Sequence, residues 1–387
     1  MNKKIKFLHV IGPDTKNSYG IMSQIHKTQN MEEHRFLIMA GEKVKARFPK
    51  LEEFDDNLFI PTDCPRPRRL NRILFMYRQL RDADVVIWHS LFFTSQKFLW
   101  FVFFFRNLLK KSVWIEWGAD LYLWRYPDDK LKNRIKNYMS RKIRESFRFV
   151  GTTFPVDSLE YHRQFGDRAK CFYTPMPNPY KGATELIDSI LATRPEKRRW
   201  ENRVTVQVAH NAFTFNNHVR LLGMLERFKP ENMHILLPLS YGIYGINGQF
   251  GGKAYCAAVK KYAKNLFPNQ ISVLSRNMAF DEYLQLLWNI DIVVFDFDRP
   301  CGLGTLRILL LMEKKIFLPA GSPYYEFLIS KGLPIYDTNK IPEMTYEEFI
   351  APPKYTDLSW VHEYMNNDAV IQNWENMFAE LKETFNI

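Results

Sequence analysis

The chain has 387 residues, of which 46% are hydrophobic and 25% are charged, and this composition excludes a mostly disordered protein. The length suits two domains, each able to bury a hydrophobic core of its own. The formal net charge of +12 predicts an anionic partner, such as nucleic acid, a phosphate-bearing small molecule or a negatively charged membrane surface.

The N-terminal segment and the most apolar run are both too short to be read as membrane or export signals. Phe7–Ile11 is a five-residue apolar run, whereas a secretory signal needs about 7–15 apolar residues, so we predict a buried first strand. The run Phe98–Phe105 has eight residues, whereas about 20 are needed to cross a bilayer. Four widely spaced cysteines without a CxxC pair suit a reducing compartment. We expect a soluble or peripheral protein.

The first half alternates short apolar runs with amphipathic ones, the clearest of which is the helical stretch Lys130–Arg148. Six strands are predicted: Ile5–Ile11, Arg35–Met39, Val85–His89, Val113–Trp117, Phe149–Thr152 and Cys171–Thr174. This alternation predicts βαβ units and a parallel sheet. Three prolines between Pro175 and Pro179 then end the pattern, and they predict a domain boundary.

The second half restarts the alternation. Five strands are predicted: Val204–Ala209, Met233–Pro238, Gln270–Leu274, Asp291–Phe297 and Lys315–Leu318. Four helices are predicted: Asn217–Phe228, Lys253–Leu266, Phe280–Asn289 and Thr305–Met312. The predicted fold class is α/β, with Rossmann-like doubly wound domains at residues 1–178 and 179–356 that face each other across a cleft. A helical tail at residues 357–387 is expected to pack back on the first domain. Ligands should bind at the carboxyl ends of the strands.

The loop from Phe295 to Thr305 joins a predicted strand end to a helix and predicts a seat for a diphosphate. Gly302 and Gly304 would let the backbone approach a ligand closely, and the helix that begins near Thr305 offers free amides. The guanidinium of Arg299 suits phosphate oxygens. An ordinary glycine-containing turn has the same spacing, because no GxGxxG or Walker lysine motif is present.

The same loop contains a DxD sequence. Asp296 and Asp298 would lie on one side of an extended strand, where their oxygens could hold a divalent cation. Plain exposure of both carboxylates is also compatible with the pattern.

Two further loops follow strand ends in the second half. Asn211, Asn216 and His218 precede an amphipathic helix, although Asn216 or its neighbour could simply cap that helix. Ser240 and Tyr241 follow the next strand, and the tyrosine could stack on a base or cover the edge of the core.

In the first half, Glu116 and Asp120 lie beside two tryptophans at a strand end. Burial of a carboxylate among aromatic groups raises its pKa, as a general base requires. Asp120 could equally cap the following segment. His89 and His9 are rival bases, although a lone histidine in an apolar strand is more often structural.

Basic residues cluster around the apolar run Phe98–Phe105. Six arginines and no acidic residue lie between Arg66 and Arg81, and twelve basic residues face five acidic ones between Arg106 and Arg148. An apolar patch ringed by cations predicts contact with an anionic membrane surface. A solvated helix face is the alternative.

Together these loops resemble glycosyltransferase family 56, the TDP-N-acetylfucosamine (TDP-Fuc4NAc):lipid II transferases of enterobacterial common antigen assembly. The motifs that carry the resemblance are Trp117–Tyr122, Asn216–His218, Pro238–Gly242, Glu282-Tyr283 followed by Asp291, and Arg299-x-x-Gly302-x-Gly304. The resemblance implies a GT-B enzyme without metal or other cofactor, peripheral on the cytoplasmic face of the bacterial inner membrane. It would move 4-acetamido-4,6-dideoxygalactose, or a close relative, from a TDP-linked donor to an undecaprenyl-diphosphate-linked saccharide.

The resemblance also implies roles for the candidate residues. Diphosphate contacts are expected from Arg299, Gly302, Gly304 and Thr305, and contacts with the nucleotide or sugar from Asn211, Asn216, His218, Ser240 and Tyr241. Asp120 is the first choice for the catalytic base, with Glu116 and His89 behind it. The alternatives are a metal-dependent transferase that uses Asp296 and Asp298, and a non-catalytic membrane scaffold. A nucleic-acid partner is not expected, because no helix-turn-helix, RRM or zinc module is recognisable.

Overall fold

The alternating apolar and amphipathic runs form two separate parallel sheets in the computed structural model. It describes residues 5–12, 15–40, 58–61, 68–91, 96–177, 183–197, 200–242, 250–276, 278–297 and 301–387. One unit comprises Met1–Pro179 with Asn366–Ile387, and the other comprises Tyr180–Met365. The predicted boundary at residue 178 lies outside the described residues.

The first unit is built on seven parallel strands in the order β3-β2-β1-β4-β5-β6-β7. They are β1 (Phe7–Ile11), β2 (His34–Ala40), β3 (Leu58–Pro61), β4 (Val85–His89), β5 (Ser112–Ile115), β6 (Phe149–Thr152) and β7 (Lys170–Tyr173). Its helices before the second unit are α1 (Thr15–Thr28), α2 (Arg68–Asp82), α3 (Gln96–Phe104), α4 (Ala119–Tyr122), α5 (Leu131–Arg144) and α6 (Asp157–Phe165). The short strand β3 was not predicted.

The second unit has six parallel strands in the order β10-β9-β8-β11-β12-β13. They are β8 (Val204–Val208), β9 (Met233–Pro238), β10 (Ile271–Leu274), β11 (Ile292–Val294), β12 (Lys315–Leu318) and β13 (Ile335–Asp337). Its helices are α7 (Ala183–Thr193), α8 (His218–Leu225), α9 (Lys253–Leu266), α10 (Phe280–Asn289), α11 (Leu303–Leu311), α12 (Pro323–Ser330), α13 (Tyr346–Ile350) and α14 (Ser359–Met365). Strand β13 was also not predicted.

The last helix, α15 (Asn367–Phe385), belongs to the first unit. Trp374 and Phe378 are buried against the sheet face that carries Phe7 and Phe36. The indole of Trp374 donates to the carbonyl of Pro175 at 3.0 Å. Core clusters cover both faces of this sheet, so its strands are mostly apolar, as expected for parallel strands buried on two sides, although His9, His34 and His89 are buried within them.

Each sheet has one point where the strand order reverses. In the first unit β1 lies between β2 and β4, and in the second β8 lies between β9 and β11. In doubly wound sheets, ligands bind outside the carboxyl ends of the strands at this point. The segments that matter for function are therefore those after β4 and β5, and those after β8 and β11.

Candidate functional site

The loop after β8 is shaped by its own asparagines. The side-chain oxygen of Asn211 accepts from the amide of Phe213 at 3.0 Å and from the side-chain nitrogen of Asn216 at 2.7 Å. Both asparagines are buried. These hydrogen bonds fix the loop conformation. A sugar-nucleotide donor could therefore contact the two asparagines only through the polar groups that these bonds leave unused.

Asn217 joins this loop to the one after β11. It has a φ of 49° and precedes α8, but its side chain does not cap the helix. Its side-chain Nδ2 donates instead to the backbone carbonyl of Asp296 at 2.9 Å. The two loops at the reversal of the strand order are thereby held together.

His218 is the first residue of α8 and is buried. Its Nδ1 lies 2.8 Å from the hydroxyl of Tyr255 in the first turn of α9. Burial lowers the pKa of His218 to about 4, so the imidazole is neutral at neutral pH. The described contact of this residue therefore ties two helix starts together.

Ser240 and Tyr241 follow β9, and the tyrosine is 62% exposed. Its ring meets Phe213 edge-on with centroids 5.8 Å apart, and its carbonyl accepts from the amide of Ala212 at 2.7 Å. Ser240 is half-buried beside it. An aromatic ring held at this edge is suited to stacking on a nucleobase.

The start of α11 is where the glycines matter. Gly302 has a φ of +69°, and a Cβ there would lie 2.7 Å from Cγ of His210, so only glycine fits without a shift. The first-turn amides of the helix have no intrahelical acceptor. A Cβ on Gly304 would meet no atom of the described residues within 4 Å, so the space that they leave over this turn is open. This arrangement can receive an anion.

Thr305 takes part in the packing of this helix start. Its hydroxyl oxygen is 2.7 Å from that of Tyr283 on α10, and its side chain is buried. The predicted diphosphate ligand Arg299 lies outside the described residues, as does Asp298.

Asp296 forms an internal ion pair. Its carboxylate is buried and bonds to the guanidinium of Arg220, which also donates to Asn339 at 2.7 Å. A carboxylate neutralised by an arginine is a poor site for a cation. Over the ranges that the structure describes, no group of three or more His, Cys, Asp or Glu residues could hold a metal ion.

The first-unit candidates lie at the carboxyl ends of adjacent strands β4 and β5. Asp120 is buried and accepts from the amides of Leu91 at 2.7 Å and Trp117 at 2.8 Å, and from the indole of Trp114 at 2.8 Å. These three internal donors occupy both oxygens of the Asp120 carboxylate. The geometry favours a role in joining the two strand ends, and its expected role as the catalytic base stays a prediction.

Glu116 is buried one residue after β5. It accepts from the amide and the hydroxyl of Thr153 at 2.8 and 3.0 Å, and from the amide of Gly118. Burial, followed by the charges of Asp157 and Asp120, raises the pKa of Glu116 well above its usual range. Glu116 is therefore a stronger base than an ordinary carboxylate.

His89 ends β4 and is part of a line of histidines that the sequence did not reveal. Its Nε2 lies 2.9 Å from Nδ1 of His9, and Nε2 of His9 lies 2.9 Å from Nδ1 of His34. Positions 9, 34 and 89 are distant in sequence. Only the strand order, with β1 between β2 and β4, could have indicated their contact.

An apolar patch flanked by cations lies on α3 and α5, which pack together through Phe103 and Tyr138. Its exposed apolar side chains are Trp100, Phe104, Phe105, Leu131, Ile135 and Tyr138. On α5 the spacing i, i+4, i+7 places three of them in one stripe, and Lys132 and Arg134 are exposed on its two sides. In the described part of the chain, no helix combines the length and the apolar character needed to span a membrane.

Comparison with solved structures shows the fold. HepE from Anabaena, solved with UDP and glucose, is 12% identical with a TM-score of 0.63, and the match covers 97% of this chain and all of that one. Sucrose-phosphate synthase from Thermosynechococcus elongatus is 10% identical with a TM-score of 0.62, over 98% of this chain and all of that one. A UDP-forming trehalose-phosphate synthase from Burkholderia vietnamiensis gives a TM-score of 0.58 at 9% identity, over 98% of this chain and all of that one.

Comparison with family models shows the enzyme class. Residues 21–380 match the model described as 4-alpha-L-fucosyltransferase glycosyl transferase group 56. The fold is of the GT-B type, as the sequence predicted, and the protein is a nucleotide-sugar-dependent glycosyltransferase. The chain belongs to glycosyltransferase group 56.

Proposed function

We propose that the protein transfers 4-acetamido-4,6-dideoxygalactose, or a close relative, from a TDP-linked donor to an undecaprenyl-diphosphate-linked saccharide, without a metal ion. The family match over residues 21–380 carries the reaction class. The TDP donor and the lipid acceptor are inferred from the motifs that resemble the lipid II transferases. The geometry at the start of α11 supports the donor side.

The donor is proposed to bind at the carboxyl edge of the second sheet. The open first turn of α11 would receive the diphosphate on its backbone amides and on the positive end of the helix dipole. Tyr241 offers a ring for the base. When the sugar leaves, negative charge grows on the diphosphate, and fixed amides stabilise it without having to reorganise.

Metal independence is supported by the Arg220–Asp296 ion pair. A divalent cation would have to compete with a guanidinium that already neutralises this carboxylate. In its place, Arg299 and the α11 amides are proposed to supply the positive charge at the leaving group.

The acceptor is proposed to bind the first unit, at the carboxyl ends of β4 and β5. A base there must take the proton of the acceptor hydroxyl, and Glu116 and His89 are the described groups closest to that role. The apolar and cationic patch on α3 and α5 would rest on the cytoplasmic face of an anionic membrane, where a lipid-linked acceptor is found.

The proposal is tested by a transfer assay in anionic vesicles that contain the undecaprenyl-linked saccharide. TDP-, UDP- and GDP-linked sugars are offered separately in EDTA, and the lipid product is identified by mass spectrometry. We expect product with the TDP-linked deoxyamino sugar alone. Product only with another nucleotide would refute the donor, and activity that depends on added Mn²⁺ would refute metal independence. A protein that binds TDP but forms no product with any acceptor would fit the scaffold alternative.

A further inference from the structure

Three buried histidines from neighbouring strands form a continuous hydrogen-bonded line across the first sheet. His9, on β1, is bonded at one nitrogen to His89 on β4 and at the other to His34 on β2, both at 2.9 Å. The rings are stacked, with centroids 5.2 Å apart in each pair. Helix α15 covers the line with Trp374 and Phe378.

The two ends of the histidine line have unused bonding capacity. Nδ1 of His89 and Nε2 of His34 are buried, and neither has a hydrogen-bond partner among the described residues. Since burying an unpaired polar atom costs free energy, such ends are uncommon in a purely structural network. Each end can therefore form one more hydrogen bond.

The line has only two neutral arrangements, because a neutral imidazole has one N–H and one lone pair. In one, His89 and His9 both donate from Nε2, which leaves Nδ1 of His89 bare and puts a proton on Nε2 of His34. In the other, both bonds are reversed. Switching between them moves one proton across each bond and transfers the outward N–H from one end to the other.

The two histidines at the ends of the line lie at opposite ends of their strands, one at the amino end and one at the carboxyl end. His89 is the last residue of β4 and pairs in register with Ile11, at the reversal of the strand order where a ligand is expected. His34 is the first residue of β2 and follows Glu33, which is bonded to Lys6 and Lys382. A proton that entered at His89 would thus leave near the charged groups around Glu33.

The surroundings disfavour a charged imidazole anywhere on the line. Burial lowers the pKa of His89 to about 3 and that of His34 to about 4; the charge of Glu33 opposes the second shift and that of Lys382 adds to it. Burial, then the charges of His34 and His89, lowers the pKa of His9 well below its usual range. A proton received at one end can therefore be kept only if another is released from the far end.

We propose that the histidine line is a proton relay for the sugar transfer, an inference that rests on the proposed function. The acceptor oxygen bonds to the anomeric carbon while its O–H bond breaks and the proton passes to Nδ1 of His89. The Nε2 proton of His89 passes to Nδ1 of His9, and the Nε2 proton of His9 passes to Nδ1 of His34. The Nε2 proton of His34 passes to a water molecule that would have to enter this buried end beside Glu33. The bond from the anomeric carbon to the donor diphosphate breaks, and the diphosphate keeps the electron pair. His89 is the catalytic residue, and His9 and His34 act through it.

The test compares His9→Gln with Phe36→Leu. Glutamine keeps a donor and an acceptor but does not exchange protons between them, and Phe36 packs against the same ring, with centroids 5.0 Å apart. We expect His9→Gln to lower kcat by about tenfold or more, with KM for both substrates nearly unchanged and an altered solvent isotope effect. Phe36→Leu should keep the wild-type kcat and isotope effect. Wild-type kcat and isotope effect in a folded His9→Gln protein would overturn the relay.

A second measurement does not depend on activity. Imidazole ¹⁵N NMR of the wild type at pH 7 should show the proton of His89 on Nε2. His34→Leu, two strands away, would leave the Nε2–H of His9 without an acceptor and should therefore shift His89 towards the Nδ1-protonated tautomer. An unaffected His89 in a folded His34→Leu protein would overturn the relay even if transfer occurs. A wild type that forms no product would instead refute the proposed function, while the NMR comparison still decides whether the line is coupled.

Discussion

Replacing Gly304 with alanine should raise the stability of the protein and lower its affinity for the donor nucleotide. Gly304 lies in the first turn of α11, and a Cβ there would meet no atom within 4 Å in the part of the chain that the structure describes. Replacement of a helical glycine by alanine adds about 0.5–1 kcal/mol to the free energy of unfolding. The same methyl group would stand over the amides proposed to hold the diphosphate, so the affinity for TDP should fall by about tenfold, or about 1.4 kcal/mol.

Two other glycines serve as controls. Gly223 lies within α8, where a Cβ would be 3.8 Å from the hydroxyl of Tyr262, so Gly223→Ala should stabilise similarly and leave TDP binding unchanged. Gly302→Ala should instead destabilise the protein. Its left-handed φ costs about 1–2 kcal/mol, and the contact with His210 costs about 1–3 kcal/mol, so the free energy of unfolding should fall by about 2–5 kcal/mol.

The assay combines urea unfolding of the free protein with calorimetric titration of TDP. If Gly304→Ala binds TDP as tightly as the wild type, the diphosphate does not rest on the first turn of α11. If Gly223→Ala loses the same affinity for TDP, the loss comes from any helical glycine replacement in the second unit and does not locate the diphosphate at α11.

Three further predictions concern charge, pH and the membrane. Arg220→Gln leaves the buried carboxylate of Asp296 without its cation and should lower the free energy of unfolding, measured in urea, by about 1–3 kcal/mol. Adding Asp296→Asn should restore most of the lost stability. A double variant as unstable as Arg220→Gln would contradict the ion-pair account. The three histidines of the line have lowered pKa values in the folded state, so below pH 6.5 the unfolded chain binds more protons than the folded chain. The free energy of unfolding should therefore be full above pH 6.5 and fall towards pH 4 by up to about 1.4 kcal/mol per pH unit for each histidine. Urea midpoints that stay constant from pH 7 to pH 5 would contradict this. Trp100→Ala with Phe104→Ala should weaken binding to anionic vesicles by about tenfold in a sedimentation assay without changing TDP affinity, whereas Leu159→Ala, which removes an exposed leucine of α6, should have no effect.

Much of the fold follows from the sequence because both sheets are buried on two faces. Most of their strands are predominantly apolar, even where a polar residue such as His9 in β1 or Gln207 in β8 interrupts them, and the length of these runs is enough to find them. The two strands that were missed are short: β3 has four residues and ends at Pro61, and β13 has three. Neither is long enough to show a periodic pattern of its own.

The candidate loops were also predictable, because parallel strands place their ligand-binding segments at one edge. The roles of the side chains in them were not. Asp120 accepts a hydrogen bond from Leu91, 29 residues away, and Asp296 pairs with Arg220, 76 residues away. Such contacts decide whether a carboxylate is structural or available to a substrate, and they depend on strand order rather than on local composition.

The most direct test of the donor site is a calorimetric titration of the wild-type protein with TDP in the presence of EDTA, with UDP and GDP titrated in parallel. Saturable binding of one TDP per chain, tighter than that of the other two nucleotides, is the expected result. Absence of binding by all three nucleotides, or binding that begins only when Mn²⁺ replaces EDTA, would contradict a thymidine diphosphate held by Arg299 and the helix amides without a metal ion.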